Sequence, residues 1–418
     1  MKDKIIEVID SPRGLEDLYR AHPREFAKAF PGAFAARPDS PVLQAWQERL
    51  FYAPPAASET ARWQGRDVGW VVVLSLLAGT LIKLPHFFSA LDEEWFYARN
   101  LSGILAGALI AYFCIQKPAP KRVAQFAFAL LIAALLYLNL LPDRHDSHTI
   151  ILACLHTPFF LWSLLGVAFL GGEWKNLGGR MDYLRYNGEL LIYTTMIWIG
   201  GMVMTGLTIA LFDLIQLHIE NWYLENVVVY GAVAAPIVAT LLVDRVVGNR
   251  FRFAPLLAKI FTPLFLVTVV SYLAAMALQH KSPFTDREFL IAFNGLLLVV
   301  LGLCVFSISE RGGRENPGLG DYMNIGLVSV TLMIDVVALS AILFRLTSYG
   351  FTPNRVAVLG ANLLAFGHLA GILLRYLRFI LHKDPFASLE QWIVTYLPAY
   401  STWSILVAVG FPLIWRLA

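Results

Sequence analysis

Two ionisable side chains, Asp335 and His368, sit deep in apolar sequence. Asp335 lies in the run Val328 to Val337, where a carboxylate at the centre of a membrane helix costs about 2.5 to 3.5 kcal/mol to insert. Thr331 is one turn away on the same helical face. His368 is flanked by Ala365, Gly367 and Gly371, small enough to let another helix approach closely. Counted at the helical rise, Asp335 lies about 15 Å from Arg345 and His368 about 20 Å from Arg355, so the two share a depth. A carboxyl and an imidazole at one depth make a candidate proton relay, because the charge on each biases protonation of the other. The alternative is a protonated Asp335 hydrogen-bonded to Thr331 or another helix, with His368 a neutral packing residue.

Arg345 and Arg355 flank a short turn and are candidates for contact with an anion or a lipid headgroup; snorkelling to the membrane surface accounts for them equally. Lys83 and Lys259 are expected to snorkel. His86, His145, His148, His218 and His280 gather with acids on the same side, but the Asp143 to His148 loop has no metal spacing and includes Arg144. No metal, cofactor or catalytic residue is assigned, since GxSxG, HExxH and Walker A patterns are missing. Cys114, Cys154 and Cys304 lie in apolar stretches and read as small buried hydrophobes. Prolines 85, 158, 236 and 263 could break helices around a midplane site, as ordinary membrane helices also tolerate.

These residues require helices crossing lipid. The chain is 57% hydrophobic and 15% charged, more apolar surface than one water-soluble body can cover. Eleven apolar stretches follow residue 68, at about 68–88, 98–116, 123–141, 148–170, 188–213, 226–247, 254–280, 288–308, 324–345, 353–381 and 398–416. The segment Leu389 to Leu397 before the last is amphipathic and could lie in the interface. The fold class is an all-α polytopic transmembrane bundle of about 11 spans. Alternate connections carry 14 basic residues (Lys117, Lys121, Arg122, Lys175, Arg180, Arg185, Arg245, Arg250, Arg252, Arg311, Arg314, Arg375, Arg378, Lys383). The opposite set holds six, Arg99, Arg144, Lys281, Arg287, Arg345 and Arg355. The asymmetry predicts N-in, C-out topology in a bacterial inner membrane.

Residues 1–67 carry ten Lys/Arg and ten Asp/Glu with no signal-peptide core, and read as a cytoplasmic helical segment ahead of a membrane domain over 68–418. Ser11-Pro12 and Ser40-Pro41 each offer an N-cap and a first-turn proline, predicting a two-helix hairpin. Its role is packing or contact with a cytoplasmic protein partner. The net charge of +3 and the lack of basic runs exclude nucleic-acid binding.

Tyr349 to Arg355, after Arg345-Leu346 and before a long apolar stretch, resembles the bacterial membrane family called domain of unknown function 4153. Tyr396-Leu397-Pro398, Trp403 and Phe411-Pro412 resemble the end of that family. The resemblance implies a multi-pass inner-membrane protein and no specific chemistry. A permease-like activity, with proton-coupled transport of a small solute or lipid-related anion, is the first expectation. A scaffold or sensor acting through residues 1–67 is the second, and an intramembrane enzyme the third.

Overall fold

The protein is described by a computed structural model covering residues 1–9, 11–51, 65–88, 90–117, 120–144, 146–214, 217–244, 260–271, 287–311 and 316–416. Among these residues all regular structure is helical. The chain divides into Met1–Trp63 and Gln64–Ala418.

The first unit holds α1 (Lys2–Glu7), α2 (Pro12–Ala21), α3 (Pro23–Ala36) and α4 (Pro41–Phe51). Ser11 Oγ accepts from Gly14 N at 3.1 Å, and Ser40 Oγ caps α4 through Leu43 N. Four helices therefore replace the expected hairpin. The first apolar pattern splits at His22-Pro23, because proline starts a helix readily but cannot continue one. Ile5, Leu15, Phe26, Phe30, Leu43 and Trp46 close a core of their own, with Tyr19 edge-on to Phe26 and Trp46.

On the surface of this unit Glu16 accepts from Arg20 Nε at 2.8 Å and from both terminal nitrogens of Arg49, which also lies over the Trp46 ring. These hydrogen bonds, Arg49's first, pull the Glu16 carboxyl down to about 2. Its stabilising contribution is full above the ordinary carboxylate range and disappears as pH falls from about 4.5 through about 2. Hydrogen-exchange protection of α4 should fall over that window in the wild type. Glu16→Gln should have lower protection at neutral pH and lose that component of the pH dependence.

The second unit contains α5 (Gly65–Ile82), α6 (Leu84–Phe87), α7 (Glu93–Gln116), α8 (Lys121–Leu140), α9 (His148–Phe169), α10 (Leu177–Leu214) and α11 (Glu220–Leu242). They are followed by α12 (Ile260–Ser271), α13 (Arg287–Ser309), α14 (Leu319–Tyr349), α15 (Pro353–Ile380) and α16 (Ala387–Ile414). Among the described residues nine of these are long and apolar enough to cross a membrane, which makes the chain a multi-pass membrane protein. Of the expected stretches at 254–280 and 288–308, the described residues show α12 (Ile260–Ser271) within the first, and α13 (Arg287–Ser309) covers the second. Lys259, Lys281, His145, His280, Arg245, Arg250, Arg252 and Arg314 lie outside the described residues.

Two expected boundaries move. Arg180 and Arg185, placed in a connection from sequence, belong to the start of α10, where Asn176 Oδ1 accepts from Gly179 N. The turn is made instead by Gly171 and Gly172, whose φ values of 60° and 90° suit glycine. Leu389 to Leu397 is the first part of α16 rather than a separate interfacial segment, with Leu389, Ile393 and Val394 buried.

Prolines inside the spans explain several contacts between helices. A proline lacks an N–H and frees the carbonyl four residues earlier, which lipid cannot satisfy. Pro236 frees Ala232 O, which accepts from Trp198 Nε1 at 3.1 Å. Pro398 frees Val394 O, which accepts from Arg180 Nη1 at 3.0 Å. Pro412 frees Ala408 O, which accepts from Tyr137 Oη at 3.1 Å. Each break is thus closed by a donor from a different helix. Arg180→Leu should cost about 1 to 3 kcal/mol by orphaning Val394 O. Adding Pro398→Ala should recover part of that loss in a double-mutant cycle of unfolding free energies, since it restores the helical N–H.

Cations close helix C-termini in the same manner. Arg99, 3% exposed, donates to the Leu138 carbonyl in the last turn of α8 and to the Leu141 and Pro142 carbonyls just beyond it. Lys117 donates to Phe169 O at the end of α9, and Arg185 to Ser309 O at the end of α13. Last-turn carbonyls carry the negative end of the helix dipole, so a cation there serves packing.

Candidate functional site

The candidate site lies where α14 packs along α15 and α15 along α16. Gly350, at φ 80°, ends α14, and Thr352 restarts the chain by accepting from Arg355 N ahead of Pro353. This is the stop and restart expected from Gly350 and Thr352-Pro353.

The far end of the hairpin is pinned by charge. Asp321 accepts from Gly318 N at 2.8 Å and takes a two-pronged bond from Arg311 at 2.7 and 2.8 Å. The Arg311 guanidinium lies over the Phe379 and Phe386 rings at 4.9 and 4.1 Å, tying α15 and the approach to α16 to the same ion pair. One level in, Asn324 Nδ2 donates to Ser307 Oγ on α13 and to Tyr376 Oη on α15.

The Asn324–Tyr376 bond and the turn at Gly350 set the antiparallel register, which brings Asp335 opposite the neighbourhood of residues 365 to 367. By the same count of residues along α15, His368 falls within about one turn of that neighbourhood. Asp335 is 2% exposed, on the buried face of α14 that also presents Ile334, Ala338 and Ala341. Neither of its carboxyl oxygens has a hydrogen-bond partner among the described residues. Thr331 donates to Leu327 O at 2.8 Å, its own helix, and makes no bond to Asp335.

His368 is built into a different set. Its Nδ1 lies 2.9 Å from Tyr400 Oη, its ring stacks on Tyr396 at 4.6 Å and 15°, and Trp392 Nε1 donates to its backbone carbonyl at 3.1 Å. All three rings come from α16, spaced so that Trp392 and Tyr396 precede Pro398 and Tyr400 follows it. Close approach is made possible by glycine: a β-carbon at Gly371 would overlap the Trp392 ring, and one at Gly367 would press on Tyr396 Oη. The same holds for Gly360 and Trp403. His368 Nε2 is buried without a partner among the described residues. Among the described residues no hydrogen bond joins Asp335 to His368. The aromatic cage from α16 was not apparent from sequence, although the i, i+4, i+8 spacing of Trp392, Tyr396 and Tyr400 carries its signal.

A second buried orphan lies on α15. Asn362 donates to Val358 O but leaves Oδ1 without a partner among the described residues. Unused acceptors thus occur on both helices of the hairpin, and an ionised carboxylate among them needs a proton or a cation to offset lost hydration.

Arg355 and Arg345 separate in role. Arg355 donates to Tyr349 O and Gly350 O at 2.8 Å each, closing α14. Arg345 keeps Nε buried without a partner among the described residues. His148 meets Asn354 at 3.0 Å, linking the starts of α9 and α15. Asp213, His218 and Glu220 bring ligand atoms within 4.8 Å of one another, with His218 Nδ1 3.1 Å from Asp213 Oδ1, but all three are exposed. No family model, curated protein or solved structure matches the chain.

Proposed function

We propose that the chain is a permease-like protein of a bacterial inner membrane, with its N-terminus cytoplasmic, in which protonation of Asp335 is coupled to passage of a small solute or lipid-related anion. The resemblance at Tyr349 to Arg355 to domain of unknown function 4153 belongs to the same reading. The observation that carries it is the Asp335 carboxyl, 2% exposed in the membrane unit with both oxygens unpartnered among the described residues. Stability gives no reason to keep such a group, whereas a site that takes up and releases a proton requires a carboxyl whose partner is absent for part of its cycle. His368, within about one turn of its level, contributes by linking the hairpin to α16 through Tyr400, so that a change at Asp335 has an adjacent element to act on. Arg345, with an unused guanidinium N–H, is the candidate contact for an anion near the Gly350 turn.

The test is uptake into proteoliposomes driven by a pH gradient, with labelled monocarboxylates, dicarboxylates and phosphate esters offered as solutes. Wild-type protein should accumulate at least one class and Asp335→Asn should not. Equal gradient-driven accumulation by the two would remove Asp335 from the coupling.

A further inference from the structure

Lys83 is a buried cation with no counter-charge among the described residues. It follows Ile82, the last residue of α5, and is 5% exposed. Its ammonium donates to Asn226 Oδ1 at 2.6 Å and lies 5.7 Å from the Phe87 ring. No carboxylate lies within 4 Å of it among the described residues. Arg99 and Arg311 show how this protein otherwise treats a buried cation: the first meets three carbonyls at a helix end, the second a carboxylate in two-pronged contact. The dipole at the end of α5 favours Lys83, but one neutral amide and that dipole do not replace an anion.

The surroundings indicate what supplies the anion. Asn226 is presented by a π-helical turn, Leu224–Val228, within α11, a local widening frequently found at functional sites. Its amide is fixed by Nδ2 donating to Trp222 O at 2.8 Å, which leaves Oδ1 to hold the ammonium. Around this corner Phe87, Phe88 and Trp222 are all more than half exposed, at the end of a span. Exposed aromatic rings at a span end mark the headgroup layer of a bilayer, where the abundant anion is lipid phosphate. Glu220 and Glu225, on the same helix as Asn226, are exposed and make no ion pair with Lys83.

We infer that Lys83, positioned by Asn226, binds the phosphate of an anionic phospholipid headgroup. The full chain, purified in detergent, is titrated with phosphatidylglycerol, with phosphatidylcholine and with inorganic phosphate, and retained lipid is counted by native mass spectrometry. Wild type should retain phosphatidylglycerol more tightly than Lys83→Gln by about fivefold, the worth of one cation at a lipid surface. Lys83→Arg should behave as wild type, and inorganic phosphate should not displace the lipid. Should Lys83→Gln fail to fold, Asn226→Leu provides the comparison, with the same loss expected. Equal phosphatidylglycerol retention by wild type and the folded neutral variant overturns the assignment. So does equal retention of phosphatidylcholine and phosphatidylglycerol by wild type, or displacement of the lipid by inorganic phosphate.

Discussion

Asp335→Leu is expected to raise the unfolding free energy of the purified protein by about 1 to 3 kcal/mol while reducing gradient-driven solute uptake to the level of protein-free vesicles. The two effects share one cause. Asp335 places two oxygens in the buried face of α14 with no partner among the described residues, so leucine removes a desolvation penalty and fills the space with apolar atoms. Asn keeps the shape and the penalty but cannot titrate, so Asp335→Asn should lose uptake with little gain in stability. The combination separates coupling from folding. A stability loss of 2 kcal/mol or more in Asp335→Leu would mean that the carboxyl is held by an interaction in the folded protein, and its role would then be structural.

Much of this hairpin was legible in the sequence because it depends on local chemistry. Gly350 and Thr352-Pro353 specify a stop and a restart, and counting helical rise from that turn puts Asp335 and His368 at one level. Thr331 illustrates the limit of such counting. Its position on the Asp335 face was correct, but a threonine hydroxyl in a helix reaches the carbonyl four residues back more readily than its neighbour's side chain, and Leu327 O takes it. Arg355 was likewise visible as a cation near the turn, while its use in closing α14 depends on where two carbonyls end up. The proline contacts were further out of reach. Pro236, Pro398 and Pro412 announce that three carbonyls are freed, but nothing local says that Trp198, Arg180 and Tyr137 arrive to bond them. The head showed the opposite error, since the apolar spacing from Leu15 to Phe30 looked continuous and the restart at Pro23 divided it.

Gly371→Val is expected to destabilise the membrane unit by about 1 to 3 kcal/mol through overpacking, the larger end applying if the α16 backbone must move. A β-carbon there meets the indole of Trp392, whose Nε1 is already committed to His368 O, so the ring cannot turn aside without losing that bond. The same indole lies over Arg375, and displacing it releases a second contact. Gly200→Ala is the matched control: a β-carbon at Gly200 meets nothing within 4 Å, and alanine should be neutral or stabilising by about 1 kcal/mol through helix propensity. Combining Gly371→Val with Trp392→Ala should restore part of the loss in unfolding free energy, because the clash is pairwise. If the two substitutions instead add, the cost of Gly371→Val arises within α15 alone and the close approach of α16 does not depend on that glycine. Uptake distinguishes what the approach is for: Gly371→Ala, assayed where the protein remains folded, should impair gradient-driven transport through the His368 cage even though Asp335 is untouched.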